Sequence, residues 1–354
     1  MKRIFSKMVT MMMVLAMMVS FAACGEKKEE ATSQTTAVTE ATEITETKKS
    51  EGNAVEYPEV IKIGYQPVAN DMMIAIVEGL LDNLGYPYEL VEFKSGKDLN
   101  NALASGSVDV GYIGTVPVVS GIASGIDYKV FWVSGIITEC EGLVVKEGIT
   151  SIEDLEGKTV GVVTGSTSHY SLMSALGDAG VPAESVTILG GAPTEIVAMW
   201  DRGDIDAAYI WQPSLEAMIK DGGTVIFDGS DSEAIGATTA VLHVVNSDFA
   251  EKYPAAVSAL ADVLASTQET YAANPDKVAQ DVAEKLGMEV EMCKTSIEGY
   301  RWMTEEQQAA ADCLGGGFAE ILKATADFLE SEASITEAPE IAVFEKAITP
   351  DFVK

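Results

Sequence analysis

The sequence predicts an α/β fold of two doubly wound lobes followed by a helical tail. Three observations predict it. From Val60 onwards, short apolar runs alternate with segments of helical spacing, a pattern typical of βαβ units that form a mostly parallel, helix-covered sheet. A second series of the same kind begins near Glu141. After Asp248 the chain is almost wholly helical to about Glu330, with a break at Pro275.

The elements follow one another in order along the chain. In the first series we predict strands over residues 60–65, 88–93, 108–113 and 128–134, with helices over 71–84, over 97–105 and from about residue 115. In the second series we predict strands over 143–146, 159–163, 186–189, 207–210 and 224–227, with helices over 168–179 and 194–201, and then a strand over 241–245. Two such lobes leave a cleft outside the carboxyl ends of their strands, where small ligands usually bind.

The first residues have the pattern of a secretory signal. Lys2, Arg3 and Lys7 form a positive start, and the uncharged run from Met8 to Ala23 is too short for a comfortable membrane span.

The signal ends at a cysteine. Residues 21–25 (FAACG) resemble a lipobox, so we expect residues 1–23 to be a lipoprotein signal peptide and Cys24 to be lipidated. A plain signal peptide followed by a coincidental cysteine is the alternative. Residues 24–57 are rich in Glu, Thr, Ser, Ala and Lys, with no aromatic before Tyr57, which predicts a flexible acidic tether.

Composition excludes several classes of function. The 354 residues carry 23 Lys and Arg against 55 Asp and Glu, a formal net charge of −32, and so acidic a surface repels nucleic acid. With two histidines, His169 and His243, and no CxxC pair, we expect neither a metal nor a cofactor. The three cysteines after Cys24 imply no disulfide framework, although a Cys293–Cys313 bridge stays open.

Three strand-to-helix junctions could hold a small ligand: residues 64–67 (GYQP), 111–117 (GYIGTVP) and 164–170 (TGSTSHY). Each places glycine and hydroxyl or amide groups at a helix start, where free N–H groups and the helix dipole favour an anion. Ordinary N-capping is the alternative for any one loop, but three loops from both lobes favour an anion site. No lysine follows these glycines as in a P-loop, and no GxSxG motif is present.

Acidic and aromatic residues at other loop positions could bind an ammonium group. Glu141 begins the second series, Asp204 and Asp206 lie in a helix-to-strand segment, and Trp211 ends the strand that follows. A carboxylate and an indole face attract an ammonium through charge and cation–π contact. A structural turn without a ligand is the alternative for the two aspartates.

Longer segments of the chain resemble the periplasmic taurine-binding proteins of ABC importers, in the wider sulfonate- and nitrate-binding group. The matching segments are residues 104–106 (ASG) with Val108, Gly111, Ile113, Gly114 and Pro117, then 141–146 (EGLVVK), 168–172 (SHYSL), 200–213 (WDRGDIDAAYIWQP) and 248–254 (DFAEKYP). The likeness runs from about Val60 nearly to the end of the chain.

The resemblance implies a type II periplasmic-binding-protein fold, whose two lobes close on the ligand about a hinge. Lobe I would comprise residues 58–139 and 238–354, including the helical tail, and lobe II residues 140–237. In this family a sulfonate lies at helix N-termini, and an amine meets acidic and aromatic groups. Carried over by position, the ligand-binding residues would be Gln66, Gly114, Thr115, Glu141, Thr167, Ser168, His169, Tyr170, Asp206 and Trp211.

Several positions depart from the taurine pattern. After residues 236–239 (GATT) that pattern continues with an Asp and, two residues on, a Trp, where this chain has Val241 and His243. The second loop carries Tyr112 and Val116 in place of smaller polar residues. If the missing Asp binds the amine, one ammonium partner is lost. The alternative ligand is therefore another small anion or organic solute, such as nitrate, an alkanesulfonate or a pyrimidine precursor of thiamin.

We therefore expect a monomeric solute-binding protein without catalytic residues, lipid-anchored at the outer face of the cell membrane, that delivers taurine or a related sulfonate to an ABC permease and its ATPase. A rival hypothesis is an enzyme, since relatives of this fold include pyrimidine-forming proteins of thiamin synthesis. Cys140, next to Glu141, would be its reactive residue, and the export signal argues against it. A sensor that binds the ligand without feeding transport is a third possibility.

Overall fold

The structure, a computed structural model, describes residues 57–354. The predicted signal peptide, Cys24 and nearly all of the predicted tether lie outside the described residues. No helix within residues 57–354 combines the length and the apolar character needed to cross a membrane.

Strands and helices alternate through most of the described chain. The strands are β1 (Ile61–Tyr65), β2 (Tyr88–Glu92), β3 (Val110–Gly114), β4 (Tyr128–Ile137), β5 (Glu141–Val145), β6 (Thr159–Val162), β7 (Thr187–Gly190), β8 (Ala207–Trp211), β9 (Thr224–Asp228), β10 (Ala240–Asn246) and β11 (Tyr300–Trp302). The helices are α1 (Asp71–Val77), α2 (Gly96–Ala104), α3 (Thr115–Ala123), α4 (Thr167–Asp178), α5 (Pro193–Arg202), α6 (Ser214–Lys220), α7 (Gly229–Ala234), α8 (Ser247–Lys252), α9 (Pro254–Ala273), α10 (Pro275–Leu286), α11 (Val290–Glu298), α12 (Glu305–Ala309), α13 (Phe318–Ser331) and α14 (Ile341–Ala347).

The strands form two separate sheets. The first has the order β11-β4-β10-β3-β1-β2 and the second the order β7-β6-β8-β5-β9. The chain leaves the first sheet after Ile137, enters the second at Glu141 and returns to the first at Ala240. This arrangement confirms the predicted α/β class with two sheets.

The prediction of mostly parallel sheets is wrong. β1 pairs in parallel with β2 and β3, and β6 with β7 and β8, but β10 runs antiparallel to β3 and β4, β11 to β4, and β5 to β8 and β9. Strands β5 and β10 are buried along nearly their whole length. A strand covered on both faces reads as a continuous apolar run whatever its direction, so the sequence pattern does not reveal direction.

Helices cover both faces of each sheet. On the first sheet, α1, α9, α10 and α11 pack on one face, and α2, α3, α13 and α14 pack on the other. On the second sheet, α4 packs on one face, and α5 and α6 on the other. Each sheet therefore lies between two apolar layers, and its strand ends stay available for loops that face a ligand.

Local chemistry sets several element boundaries differently from the prediction. The predicted helix over residues 71–84 ends at Val77, because Gly79 adopts a left-handed φ of 66° before a 3-10 turn over Leu80–Leu84. The predicted break at Pro275 is confirmed, since that residue begins α10. The helical tail contains the short strand β11, which was not predicted.

The cysteines do not pair within the described residues. Cys140, Cys293 and Cys313 are all buried free thiols, so the structure contains no Cys293–Cys313 bridge.

Candidate functional site

A cavity of about 420 Å³ lies between the two sheets, beside the carboxyl ends of β1, β3, β6 and β8. This position agrees with the rule that ligands bind outside the carboxyl ends of strands in α/β folds. The cavity is lined by Gln66, Val68, Lys94, Ser95, Gly96, Lys97, Asp98, Tyr112, Gly114, Pro117, Ile137, Glu141, Val163, Thr164, Gly165, Ser166, Thr167, Gly191, Ala192, Pro193, Trp211, Val241 and Tyr300.

A second, more open depression of about 550 Å³ lies against α13 and α14 and includes Glu320 and Glu345. None of the predicted ligand-binding residues lines it. The cavity between the sheets is therefore the candidate site.

Half of the residues predicted from the resemblance meet in this cavity. Gln66 and Gly114 line it from the first sheet, and Glu141, Thr167 and Trp211 line it from the second. Glu141 and Trp211 are register partners on the antiparallel strands β5 and β8, which places their side chains on the same face of the sheet. The structure thus brings a carboxylate and an indole together.

Four other predicted residues lie next to the lining in the sequence but do not line the cavity themselves. Thr115 is buried, and its hydroxyl accepts a hydrogen bond from the Ala240 N–H at 3.5 Å. The Nδ1 atom of His169 accepts from the Gly165 N–H at 3.4 Å. The remaining two are buried in the first turn of α4: Ser168 and Tyr170.

Asp206 lies away from the cavity. Its Oδ2 accepts a hydrogen bond from the Thr159 N–H at 2.9 Å, at the amino end of β8. Trp211 lies at the carboxyl end of the same strand, so the two residues are separated by roughly 16 Å at the usual rise of an extended chain. The alternative interpretation of Asp206 as part of a structural turn agrees with this contact.

Glu141 is the titratable group at the centre of the site. Its side chain is almost fully buried, and the Thr167 hydroxyl lies 3.1 Å from Oε1 and 2.9 Å from Oε2. Burial raises the pKa of Glu141 to about 7, although the hydroxyls of Ser168 and Thr167 oppose that rise. The carboxyl group therefore changes its charge within the physiological pH range and responds to a cation placed beside it.

Four helices begin at the cavity. The residues before α2, α3, α4 and α5 all belong to its lining: Ser95, Gly114, Ser166 and Ala192. Free backbone N–H groups and the positive ends of helix dipoles favour an anion at such a place. Ser95 and Ser166 also cap their own helices, accepting from the Asp98 and His169 N–H groups at 3.2 and 3.3 Å. The starts of α2 and α4 therefore have ordinary N-caps and also lie at the cavity.

Several lining residues were missed by sequence reasoning. Lys94 and Lys97 lie exposed on either side of the α2 start, and the scarcity of basic residues in this chain was a signal that could have drawn attention to them. Tyr112 and Val241, which depart from the taurine pattern, also line the cavity. Tyr300 lies on β11, whose three residues are too few to show a strand pattern.

Comparison with known proteins shows the family to which the chain belongs. Residues 59–288 match the model of the family described as the substrate binding domain of ABC-type glycine betaine transport systems. The chain is 34% identical over 282 residues to the taurine-binding periplasmic protein of Escherichia coli (strain K12), which covers 78% of this chain and 87% of that protein. It is 31% identical over 232 residues to a putative aliphatic sulfonates-binding protein of the same organism, covering 64% and 70%.

A solved structure supports the fold. The periplasmic aliphatic sulphonate binding protein SsuA from Escherichia coli superimposes with a TM-score of 0.69 at 22% identity, over 82% of this chain and 92% of that one. This likeness confirms the predicted periplasmic-binding-protein fold. The named relatives are binding proteins rather than enzymes, in agreement with the expected absence of catalysis. The chain belongs to the family of extracytoplasmic substrate-binding proteins of ABC-type transport systems.

Proposed function

We propose that this protein binds taurine or a related sulfonate in the cavity between its sheets and delivers it to the permease and ATPase of an ABC importer. One observation carries the proposal: the starts of α2, α3, α4 and α5 meet Glu141 and Trp211 in a single cavity. A zwitterion that carries a sulfonate and an ammonium group matches both sets of groups. The relatives named for taurine and aliphatic sulfonates support the same class of ligand.

The sulfonate would lie at the helix starts. Backbone N–H groups there can hold an anion without a buried basic side chain. Lys94 and Lys97, exposed at the cavity, would add a screened attraction. The strongly negative net charge of the chain would otherwise oppose the approach of an anion.

The ammonium group would lie beside Glu141 and the Trp211 ring. A cation next to a carboxylate favours its ionised form, and the raised pKa of Glu141 means that the protein alone stabilises that form poorly. Ligand binding would supply the missing counter-charge. We therefore propose that Glu141 is the residue by which the site distinguishes an aminosulfonate from an amine-free one.

The residues predicted from the resemblance would have three roles. Five would touch the ligand: Gln66, Gly114, Glu141, Thr167 and Trp211. Four would hold the surrounding loops from behind: Thr115, Ser168, His169 and Tyr170. Asp206 would fix the far end of β8 through its bond to β6.

We further propose that the two sheets mark two lobes, residues 58–139 with 238–354 and residues 140–237, which close on the ligand. The chain passes between the sheets twice, and the two passages are joined by a hydrogen bond from the Ile137 N–H to the Thr239 carbonyl at 2.9 Å. Two adjacent crossings can absorb the backbone rotation of a hinge closure.

The location would be set by the first residues. A lipidated Cys24 and an acidic tether over residues 24–57 would hold the protein at the outer face of the cell membrane. The protein would act as a monomer, as the resemblance to the taurine-binding proteins implies.

One observation favours a second candidate ligand, an alkanesulfonate without an amine. Val241, Ile137 and the ring of Tyr112 give the cavity an apolar wall on the side of the first sheet. An alkyl chain would bury apolar surface against this wall, whereas an ammonium group there would lack a counter-charge.

The test is a thermal-shift and calorimetric titration of the mature chain, residues 24–354, against taurine, ethanesulfonate, butanesulfonate, nitrate, sulfate and the thiamin pyrimidine precursor. A ligand that binds the folded state adds about 2.7 kcal/mol of stability at a hundredfold excess over its Kd. Binding of taurine or an alkanesulfonate in preference to nitrate and sulfate is expected. Absence of binding by every sulfonate would contradict the proposal.

A further inference from the structure

Buried polar atoms without a hydrogen-bond partner are concentrated behind one wall of the cavity. Among the described residues, five buried side-chain atoms lack a partner, and three of them belong to Asn70, Tyr112 and His243. Folded proteins rarely leave such atoms unpaired, so each requires an explanation. The three residues are close together, because His243 and Tyr112 are register partners on β10 and β3 and Asn70 is a neighbour of Tyr112.

Tyr112 combines burial with a position at the ligand cavity. It is 2% exposed, it lines the cavity, and its hydroxyl has no hydrogen-bond partner. Asn70 and Tyr300 are its polar neighbours. The Gln66 side-chain amide donates to the Tyr112 carbonyl at 3.4 Å, which fixes a predicted ligand contact to the same residue.

An unusual pair holds the Tyr112 ring in place. His243 Nε2 lies 3.0 Å from Asp71 Oδ2, and both side chains are almost completely buried. The other carboxylate oxygen of Asp71 accepts from the Met72 N–H at 2.7 Å, so the start of α1 anchors the pair. The His243 ring meets the Tyr112 ring edge to face, with 5.2 Å between centroids. Lateral movement of the Tyr112 ring would disturb this packing.

Donation is the role open to the Tyr112 hydroxyl. Burial, reinforced by the negative charge of Asp71, raises the pKa of Tyr112 well above its ordinary value. The hydroxyl therefore keeps its proton and can donate a hydrogen bond to an acceptor. An anionic ligand in the cavity carries acceptor oxygens, and no hydrogen bond from this hydroxyl to another described residue competes with them.

We propose that Tyr112 is a ligand-binding residue whose hydroxyl donates to a sulfonate oxygen when the lobes close on the ligand, and that His243 and Asp71 are positioning residues that hold its ring. This inference rests on the proposed function, because it requires that the cavity bind a sulfonate. It adds a donor from the first sheet to the helix starts, and it gives a reason for the two departures from the taurine pattern at positions 112 and 243.

The first test compares Tyr112→Phe with a matched control, Tyr128→Phe. Tyr128 is equally buried, but its hydroxyl donates to the Val118 carbonyl at 2.7 Å, and it does not line the cavity. Tyr112→Phe should leave the melting temperature of the ligand-free protein unchanged or higher, since it removes an unpartnered group. It should weaken the Kd for taurine and for ethanesulfonate alike, by roughly 10- to 100-fold. Tyr128→Phe should lower the melting temperature and leave the Kd unchanged.

The second test examines the positioning role with a double-mutant cycle. His243→Gln should weaken sulfonate binding in the wild-type background but add little in the Tyr112→Phe background, because its effect passes through the hydroxyl. Asp71→Asn provides the same comparison should the His243 variant fold poorly. A purely structural role would give additive losses in both backgrounds, and additivity would overturn the positioning role.

The outcomes separate this inference from the proposed function. A wild-type chain that binds neither taurine nor ethanesulfonate would overturn the proposed function and this inference with it. A wild-type chain that binds them, with a Tyr112→Phe variant that binds equally well, would overturn the inference alone and point to buried water as the partner of these atoms. A loss confined to taurine would place the hydroxyl at the amine and would also overturn donation to the sulfonate.

Discussion

Gly114, at the end of β3, meets Thr167, the first residue of α4, across the cavity. A Cβ atom on Gly114 would lie 3.1 Å from the Thr167 Cγ2. The backbone of Gly114 has an ordinary φ of −71°, so glycine is not needed there for its conformational freedom. The missing side chain of Gly114 lets the two sheets approach closely at the point where the Thr167 hydroxyl also donates to Glu141.

Gly114→Ala should therefore weaken ligand binding more than it weakens the fold. The added methyl group pushes against Thr167 and displaces the Glu141 carboxyl group, and we expect a several-fold rise in the taurine Kd measured by calorimetry. Gly177→Ala is the control, because it lies in α4 with open space around its Cα. It should stabilise the protein by up to about 1 kcal/mol without changing the Kd. Equal affinities for both variants would contradict a role for this contact in binding.

Thr167→Val should remove the hydroxyl that donates to Glu141 while keeping the side-chain shape. The ionised carboxylate loses a buried donor, so the pKa of Glu141 should rise further and taurine affinity at neutral pH should fall by about tenfold. Thr167→Ser keeps the donor and should retain most of the affinity. Carbon-detected NMR of the Glu141 carboxyl across a pH titration measures the pKa change directly, and an unchanged pKa in the Val variant would refute this prediction.

The stability of the ligand-free protein should depend on the charge of Glu141. The folded-state pKa of about 7 lies above the ordinary value of 4.5, so the folded state binds the proton more tightly than the unfolded state. Stability contributed by this group is thus fully present below about pH 4.5 and lost as pH rises through 7. Glu141→Gln should raise the stability of the ligand-free protein at pH 8 by about 1–3 kcal/mol and change it little at pH 4.5. Denaturant unfolding at both pH values is the measurement, and an equal effect at both would contradict it.

Taurine binding should show the opposite pH trend from the stability of the empty site. Glu141 must be ionised to attract the ammonium group, so taurine affinity should fall as pH decreases through about 7. Ethanesulfonate has no ammonium group, so its binding should not weaken over the same range. In Glu141→Gln the two pH profiles should become parallel. Calorimetry at several pH values checks this, and a wild-type taurine profile that is flat would place the amine elsewhere.

Val241 should control the choice between aminosulfonates and amine-free sulfonates. Val241→Asp would put a carboxylate on the cavity wall beside Gly114, its register partner on β3. We expect the ratio of taurine to ethanesulfonate affinity to rise by about tenfold or more. Burying an unpaired carboxylate should lower the stability of the ligand-free protein by several kcal/mol or raise the pKa of the new Asp. Val241→Asn, with a similar shape and no charge, is the control and should leave the ratio near the wild-type value. A ratio that moves equally in both variants would indicate a change of shape rather than of charge.

Most strands could be predicted from the sequence because each apolar run is short and bounded by helical segments, as at β1 and β6. Their directions could not, because buried β5 and β10 carry no alternation that would distinguish parallel from antiparallel pairing. β11 was missed because three residues within a helical region show no period.

The site was predictable where chemistry lay in a strand-to-helix loop. The loops around Gly114 and Thr167 were identified because glycine and hydroxyl residues precede a helix. The loop at Ala192 was missed because its residue types are ordinary, and only its position at the start of α5 brings it to the cavity. Asp206 and Trp211 were grouped because they are close in sequence, but an extended strand separates its two ends. Which end of a strand faces a ligand follows from the sheet as a whole and not from the local residues.

The proposed anion site, formed by helix starts, has a consequence for the ligand-free protein. Within residues 57–354, Glu141 makes no ion pair with a basic side chain. A guanidinium used to hold the sulfonate could instead collapse onto this carboxylate and satisfy it before any ligand arrived. Backbone N–H groups at helix starts are fixed by the fold and cannot move in this way, so they leave the Glu141 carboxylate without a counter-charge. A zwitterion would supply that counter-charge while its sulfonate meets the helix starts.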